Sequence, residues 1–296
     1  MATGKTKFDE YLAEELSKAR NGYAPMRSGV LRRLFVQHLP CVTLHPNPED
    51  EFCDPEIGPS NQIISDYSMQ FLETRRRFER EYCPEPVIVE RIHPDGYLIH
   101  NGHHRWAAAM MLGYKTIHVR IVNLTHEKDI QKMILASSNT RRVVFDLDEV
   151  LFCTDENSPC EKPLGFPGRL IYRERLRRGI PELFSHLTAA GYDIWVYSKK
   201  YYSFDYIRRY FRRRHIHITG VITGIAHKSK YGNSERRRVE ALFSKKYGCT
   251  LHIDDSAVLR TRRGSTDFEE YRLTGAGTWA QEIIGIIEGM DAHEKQ

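Results

Sequence analysis

The sequence predicts an α/β protein with two domains, and three observations support this. Its 296 residues are enough for two ordinary domains. From residue 141 onward, apolar runs of strand length alternate with segments of helix length, which is typical of a parallel sheet with helices on its faces. The first 140 residues lack this alternation and mix helices with paired strands, which indicates an α+β domain.

We place the domain boundary in the polar stretch that ends near residue 140. The predicted organisation is a helical segment at 1–37, an α+β domain at 38–138 and an α/β domain at 139–296. In the first part we expect helices at 6–21, 27–39, 64–82, 103–112 and 124–140, and strands at 86–92, 96–100 and 116–122. In the second part we expect strands at 142–148, 193–198, 220–225, 250–255 and 271–275, and helices near 178–190, 202–215, 234–247 and 278–291.

The composition is that of a globular protein with a mild positive charge. The net charge is +5, and the excess lies in arginine-rich stretches at 201–217 and 234–240. Such runs are more often the solvated face of a helix than a nucleic-acid footprint. The six cysteines are scattered without a CxxC pair, so neither a zinc site nor a disulfide framework is indicated. No apolar run is long enough to span a bilayer, and we expect a cytoplasmic protein without a membrane partner.

Paired carboxylates follow two of the predicted strands. Asp146 and Asp148 end the apolar run that begins VVF, and Asp254 and Asp255 end the run TLHI. In a parallel sheet, ligands bind beyond the carboxyl ends of the strands, so these four side chains are expected at one edge. Four neighbouring carboxylates repel each other unless a cation lies between them, and oxygen ligands suit Mg²⁺.

A hydroxyl and two lysines are predicted at the same edge. Ser198 ends the strand at 193–198, and Lys228 or Lys230 precedes a helix after the strand at 220–225. A hydroxyl can donate to a phosphate oxygen, and a lysine can neutralise it. A lone Asp-x-Asp is usually a turn. The whole set, each at a strand end, instead predicts a metal-assisted phosphoryl-transfer site.

These motifs resemble those of the haloacid dehalogenase superfamily of phosphotransferases over about 141–290. FDLDEVL matches the first motif, YS the second, a lysine near 228–230 the third and IDDS the fourth. The resemblance implies a Rossmann-like sheet with a minimal cap. It also leaves only a flap at 156–175 and one helix between the first two motifs, which favours a large substrate or a lid supplied by another domain.

The same resemblance implies a role for each site residue. Asp146 would be the nucleophile that forms an aspartyl-phosphate, and Asp148 the general acid and then the base. Mg²⁺ would be held by Asp146, the backbone carbonyl of Asp148 and Asp254, with Asp255 in support. Ser198 and one of the two lysines would hold the phosphoryl oxygens.

A second motif, NGHHRW, lies in the first domain at residues 101–106. Asn101-Gly102 forms a tight turn after a strand, and a helix begins at about His103. Free amides at a helix start, beside His103, His104 and Arg105, would form an anion pocket. The alternative is an Asn-Gly turn with a stacked arginine and no ligand.

This stretch resembles the ParB/sulfiredoxin-like fold over about 38–123. The resemblance implies phosphate or nucleotide binding at Gly102, His103, His104 and Arg105. The family includes nucleotide-dependent DNA clamps, sulfinate-reducing enzymes and kinases of free serine. His103 stands where sulfiredoxins carry a cysteine, which disfavours sulfinate reduction. A serine kinase would use ATP or ADP and an acidic base, for which Glu51 and Glu56 are the candidates.

Together these features predict a Mg²⁺-dependent phosphohydrolase that acts on a phosphomonoester through an aspartyl-phosphate, fused to a domain that binds nucleotide or phosphate. A kinase-like activity of that first domain stays open. Two alternatives remain. One is a free-serine-kinase-like enzyme with an accessory second domain, and the other is a nucleic-acid-binding regulator, which is not favoured.

Overall fold

The computed structural model describes residues 7–19, 22–78, 85–153, 159–224, 233–265, 267–275 and 277–294. They form two compact units, one that contains the described residues up to Asn123 together with Asn233, and one that contains 124–224 and 234–294. The division therefore falls earlier than the predicted boundary at 138. The helix that follows Asn123 explains this, since its apolar side chains belong to a core of the second unit.

The first unit contains a six-stranded mixed sheet with helices. Its helices are α1 (Lys7–Ala19), α2 (Val30–Leu34), α3 (Asn61–Phe78) and α4 (His103–Met111). Its strands are β1 (Ala24–Pro25), β2 (Gln37–Pro40), β3 (Leu44–His45), β4 (Val87–His93), β5 (Tyr97–Asn101) and β6 (Thr116–Val122). The strands run in the order β2-β6-β4-β5-β3, with β1 paired to β4.

The core of this unit lies between the sheet and α4. Trp106 and the three alanines after it are fully buried, because small side chains let the helix approach the sheet closely. Leu12 of α1 belongs to the same core, and β1 pairs with β4, so the predicted helical segment at 1–37 is part of this unit. The helix expected at 27–39 is shorter, because the backbone becomes extended at Phe35 and the following strand β2 pairs with β6.

The second unit begins with α5 (Glu127–Leu135) and continues with a six-stranded sheet. Its strands are β7 (Arg141–Asp146), β8 (Tyr192–Ser198), β9 (Gly220–Thr223), β10 (Cys249–Ile253), β11 (Ala257–Arg262) and β12 (Phe268–Arg272). Its further helices are α6 (Gly168–Ile171), α7 (Ile180–Ala189), α8 (Phe204–Arg213), α9 (Asn233–Lys246) and α10 (Trp279–Glu294). The strand order is β12-β11-β10-β7-β8-β9.

Four neighbouring strands of this sheet, β10, β7, β8 and β9, are parallel. The order reverses between β7 and β10, which is where ligands bind in open α/β sheets. Helices cover both faces, because α7, α8 and α10 share one core with the sheet and α5 and α9 share another. The α/β prediction is thus confirmed. The last two strands differ from the prediction, since β11 was not expected and both β11 and β12 are antiparallel.

The chain after β7 returns along itself and brings two cysteines together. Two isolated antiparallel β-bridges pair Phe152 with Leu176 and Cys160 with Arg177. Cys153 and Cys160 form a disulfide. The prediction that the cysteines form no disulfide is therefore wrong for this pair. The cysteines outside this disulfide, in the described part of the chain, are Cys41, Cys53 and Cys249, all buried. No helix within the described ranges is long and apolar enough to cross a membrane.

Trp195 fixes the local packing of β8 against β9. Its ring is fully buried, its Nε1 donates to the Tyr247 hydroxyl at 3.0 Å, and its register partner is Gly220. A Cβ atom on Gly220 would lie 2.3 Å from the ring carbons of Trp195. The indole therefore occupies the space that a side chain at 220 would need.

We predict that Gly220→Ala destabilises the second unit. The added methyl group overpacks the Trp195 ring and should lower the free energy of unfolding by about 1–3 kcal/mol. Gly285→Ala is the matched control, because the position that its Cβ would take has open space around it. This change, inside α10, should raise the free energy of unfolding by about 0.5–1 kcal/mol. Urea unfolding followed by circular dichroism measures both, and equal midpoints would contradict the prediction.

Candidate functional site

Asp146 ends β7 at the carboxyl edge of the second sheet. Its Oδ1 accepts hydrogen bonds from the backbone amides of Asp148 at 2.8 Å and Glu149 at 2.9 Å. These bonds cap a single wide turn of π type at 147–151, a kind of turn that is frequent at functional sites. The side chain is 25% exposed, and its Oδ2 lies 4.0 Å from Nζ of Lys199. The carboxylate is therefore held in one orientation while its second oxygen is not bound by these amides.

Asp148 is buried and bonded to the end of β8. Its Oδ2 accepts hydrogen bonds from the Ser198 hydroxyl at 2.7 Å and the Lys199 amide at 3.2 Å. Its Oδ1 is buried and accepts no hydrogen bond from any described residue, although Lys200 Nζ lies 3.5 Å away. A buried oxygen with spare bonding capacity needs an explanation, and a proton or a ligand can supply it. Ser198 thus contacts Asp148, whereas the sequence assigned its hydroxyl to a phosphate.

Lys199 and Lys200 are site residues that the sequence reasoning missed. Lys199 Nζ forms an ion pair with Glu149 at 2.5 Å, and this hydrogen bond raises the pKa of Lys199. Both lysines follow Ser198 directly, so their position in YSKK was the available signal. Lys228 and Lys230, the lysines predicted to hold phosphate, lie outside the described residues.

The two carboxylates that follow β10 have different surroundings. Ile253 pairs in parallel register with Phe145, so Asp254 and Asp146 both continue from neighbouring strands at the same edge. The Asp254 carbonyl accepts a hydrogen bond from Trp279 Nε1 at 3.4 Å.

Asp255 instead pairs with Arg177 Nη1 at 2.5 Å, and that guanidinium covers the ring of Trp279. Its predicted support of a metal therefore competes with this ion pair.

The sequence predicts a Mg²⁺ site at this edge. Among the described residues, no three His, Cys, Asp or Glu side chains converge as a metal cluster. The predicted donor set is two carboxylates, those of Asp146 and Asp254, with the backbone carbonyl of Asp148. Mg²⁺ commonly binds proteins through one or two carboxylates and keeps waters or substrate phosphates as its other ligands.

In the first unit, the turn between β5 and α4 requires glycine. Gly102 precedes α4 with φ of 96°, and a Cβ there would lie 2.8 Å from Nη2 of Arg105. Glycine adopts this left-handed conformation without steric cost. It therefore lets the guanidinium lie against the backbone at the amino end of the helix.

His103 is a buried, neutral histidine. Its Nε2 accepts a hydrogen bond from the Asn47 amide at 3.1 Å, so the ring hydrogen is assigned to Nδ1, which lies 3.5 Å from Asp50 Oδ1. Burial lowers the pKa of His103 to about 3, with smaller contributions from His100 and His104. Near neutral pH this ring adds no positive charge to an anion pocket, and it instead fixes the loop that contains Asn47.

His104 and Arg105 are also engaged by protein groups. His104 Nε2 accepts a hydrogen bond from the Ser60 amide at 3.1 Å, and burial lowers its pKa. Arg105 is 4% exposed, forms an ion pair with Glu85 and donates to Asn101 Oδ1 at 2.9 Å. Arg105 is therefore the one cation among the three predicted pocket side chains.

The two predicted kinase bases lie in the loop at 46–60. Glu51 and Glu56 are both exposed. Asp50 instead lies nearest to His103, and it accepts a hydrogen bond from the Phe52 amide at 3.0 Å. The sequence reasoning missed Asp50, although it stands beside Glu51 in the same acidic run.

A comparison with known proteins identifies part of this chain. Residues 79–138 match the family described as the ParB N-terminal domain. This stretch is ParB-like. It contains the NGHHR turn, so the resemblance predicted from that turn is confirmed there. No curated protein matches the chain.

One solved structure similar to the chain is the C-terminally truncated chromosome-partitioning protein ParB from Caulobacter crescentus, complexed with CTP-gamma-S. The identity is 26%, and the match covers 31% of this chain and 46% of that one, with a TM-score of 0.24. The match spans less than half of that chain, and the TM-score is too low to establish a common fold.

We predict that His103 makes the stability of the protein depend on pH. The pKa of His103 is about 6.5 in the unfolded chain and about 3 in the folded protein. Between these pH values the unfolded chain therefore binds one proton more than the folded protein. Stability should therefore fall as the pH drops from 6.5 towards 3. Between pH 7 and pH 5, wild type should lose up to about 2 kcal/mol more than His103→Gln, whose amide does not titrate. Urea unfolding at both pH values measures this, and parallel losses in the two proteins would refute the buried, neutral ring.

Proposed function

We propose that the second unit is a Mg²⁺-dependent phosphohydrolase of the haloacid dehalogenase type, which acts on a phosphomonoester. One observation carries this proposal. Asp146 and Asp148 stand at the carboxyl edge in two different settings, one partly exposed and oriented by backbone amides, the other buried beside Ser198. Two carboxylates in unlike environments suit two different roles in one reaction.

In the first step, Oδ2 of Asp146 attacks the phosphorus atom of the substrate. The bond from phosphorus to the leaving oxygen breaks, and protonated Asp148 gives its proton to that oxygen. In the second step, a water molecule attacks the aspartyl-phosphate, Asp148 takes its proton, and the bond to Asp146 breaks to release inorganic phosphate. Asp148 is then protonated again for the next turnover.

Other residues of the chain orient these groups. The amides of Asp148 and Glu149 fix the Asp146 carboxylate, and Ser198 fixes the Asp148 carboxylate. Mg²⁺ held by Asp146, Asp254 and the Asp148 carbonyl would neutralise the charge between the carboxylates and the phosphoryl oxygens. Lys199 Nζ lies on that side, 4.0 Å from Asp146, within its ion pair with Glu149.

A second candidate site lies in the first unit, and the ParB-like match to residues 79–138 favours it. We infer that it binds a phosphate group, as part of a nucleotide such as ATP or ADP, at the turn formed by Gly102. The first amides of α4 have no partner within the helix and can donate to an anion. Arg105 supplies the positive charge, whereas neutral His103 shapes the pocket. A kinase-like transfer from such a nucleotide would need an acidic base, for which Asp50, Glu51 and Glu56 are the candidates.

We predict that Asp146→Asn abolishes phosphate release. Removal of the nucleophile should lower kcat by at least about 10³-fold on any substrate that wild type hydrolyses. Release is measured on a panel of nucleotides, phosphoamino acids, sugar phosphates, phosphopeptides and phosphorylated oligonucleotides, with Mg²⁺ and with chelator. Asp267→Asn is the matched control, because its side chain is exposed in the turn between β11 and β12. Full activity of Asp146→Asn would rule the mechanism out.

We predict that Arg105→Met weakens nucleotide binding to the first unit. Loss of a charge-assisted hydrogen bond costs about 1.5–3 kcal/mol, which corresponds to at least about a tenfold loss of affinity. Calorimetric titration with ATP and ADP measures this, and Arg120→Met, an exposed arginine of β6, is the control. Thermal melting monitors the fold of both variants. Unchanged affinity in a folded Arg105→Met protein would disprove phosphate binding at this turn.

A further inference from the structure

Helix α8 presents two rows of arginines on its outer surface. Ile207, Tyr210 and Phe211 are fully buried and fix the helix against the sheet. Residues four apart lie on the same side of a helix, so Arg208 and Arg212 form one row and Arg209 and Arg213 the next. We call these four residues the α8 arginine rows. Arg208, Arg212 and Arg213 are exposed and Arg209 is half-buried.

A groove runs beside these rows. One cavity of about 410 Å³ is lined by Phe204, His217 and three of the four arginines. A second cavity, of about 330 Å³, is also lined by Arg208 and His217 and extends past Ser138. The two cavities adjoin at Arg208 and His217, and the arginines are concentrated in the first of them.

In the first cavity, three arginines stand against one carboxylate, so its net charge is positive. Asp205 is the carboxylate that lines the first cavity, and it lies 3.9 Å from Arg209. Among the described residues, no carboxylate lies within ion-pair distance of Arg208 or Arg212. An arginine row without acidic partners attracts an extended polyanion and not a single phosphate group, because the charges are distributed along about one and a half helical turns.

Aromatic side chains occupy the stretch between Ser198 and these rows. Tyr201, Tyr202 and Phe204 are half-buried. Phe204 lines the first cavity, whereas Tyr202 packs against the core and stacks on Tyr206. Aromatic rings beside a positively charged groove are the combination that single-stranded nucleic acids use, because bases stack on the rings while phosphates contact the cations. A purely acidic peptide has no aromatic groups that could stack on these rings.

The groove has one end at the proposed catalytic edge, where α8 begins, and the other at the opposite edge of the sheet, where Tyr192 begins β8. Strand β8 ends at Ser198, and α8 begins at Phe204 and returns along the sheet before β9. The amino end of α8 therefore lies at the carboxyl edge, and the arginines continue away from it. A strand bound along α8 would have one end near Ser198 and Asp148.

We propose that the α8 arginine rows bind the sugar-phosphate backbone of a single-stranded nucleic acid, and that its terminal phosphate is the group removed at Asp146. The second half of this inference rests on the proposed phosphohydrolase function. The first half, binding along α8, stands or falls by itself. RNA and DNA share the backbone chemistry, so both belong in the test.

The binding test uses the full chain and 12-nucleotide RNA and DNA strands, phosphorylated at one end and carrying a dye at the other. Fluorescence anisotropy gives Kd over a series of KCl concentrations. Arg208→Ala/Arg212→Ala should raise Kd at least tenfold and lower the salt slope by about 1.4, since each lost phosphate contact contributes about 0.7. Arg237→Ala/Lys245→Ala removes two exposed charges of α9 and should leave Kd unchanged. Equal losses in both double variants, or none, would overturn the proposal.

A charge-preserving variant and the enzyme assay complete the test. Arg208→Lys/Arg212→Lys keeps the charge and should recover most of the affinity, whereas failure to do so in a folded protein contradicts a backbone contact. In phosphate release, the alanine double variant should raise KM for the oligonucleotide and leave KM for p-nitrophenyl phosphate unchanged. An unchanged KM for the oligonucleotide overturns the substrate assignment. Arginine-dependent binding without hydrolysis of any ester supports the groove and refutes the phosphohydrolase.

Discussion

The parallel pairing of β7 with β8 on one side and β10 on the other is the constraint on which the second unit depends. It buries Val143 and Phe145 in the core and brings the ends of three strands to one edge. Apolar side chains fix the register of these strands, because a slip of one residue would turn them to the opposite face. Once the register is set, Asp146, Ser198 and Asp254 lie at neighbouring strand ends. The polar site is therefore positioned by apolar burial.

Most of the second unit could be predicted from the sequence because its signals are local. Short apolar runs such as VVF and IWV indicate buried strands of a parallel sheet. The 3.6-residue spacing of apolar residues indicates the helices between them. The missed strand β11 shows the limit. Its sequence AVLRTR is partly polar and becomes a strand only because β10 offers an unpaired edge. The disulfide was missed for a similar reason, since Cys153 and Cys160 meet only where the chain returns along itself.

In the candidate site, the sequence likewise indicated which residues take part but not which residues they contact. That Asp146 and Asp148 follow a core strand was visible in the sequence. That the Ser198 hydroxyl donates to Asp148 was not, because the two residues are 50 positions apart and either could have bound a ligand. In the NGHHR turn, the sequence predicted an anion pocket beside three side chains that can each carry a positive charge. Burial leaves one of them, Arg105, because desolvation lowers the pKa of both histidines.

The three tryptophans of the chain are placed so that each reports on a different region. Trp106 is buried in the core of the first unit, and Trp195 in the core of the second. Trp279 instead donates its indole hydrogen to the Asp254 carbonyl and lies under the Arg177 guanidinium. Its emission is therefore sensitive to charge and hydration at the carboxyl edge. The protein thus carries an intrinsic optical probe beside its acidic site, and two further tryptophans that report on the integrity of each unit.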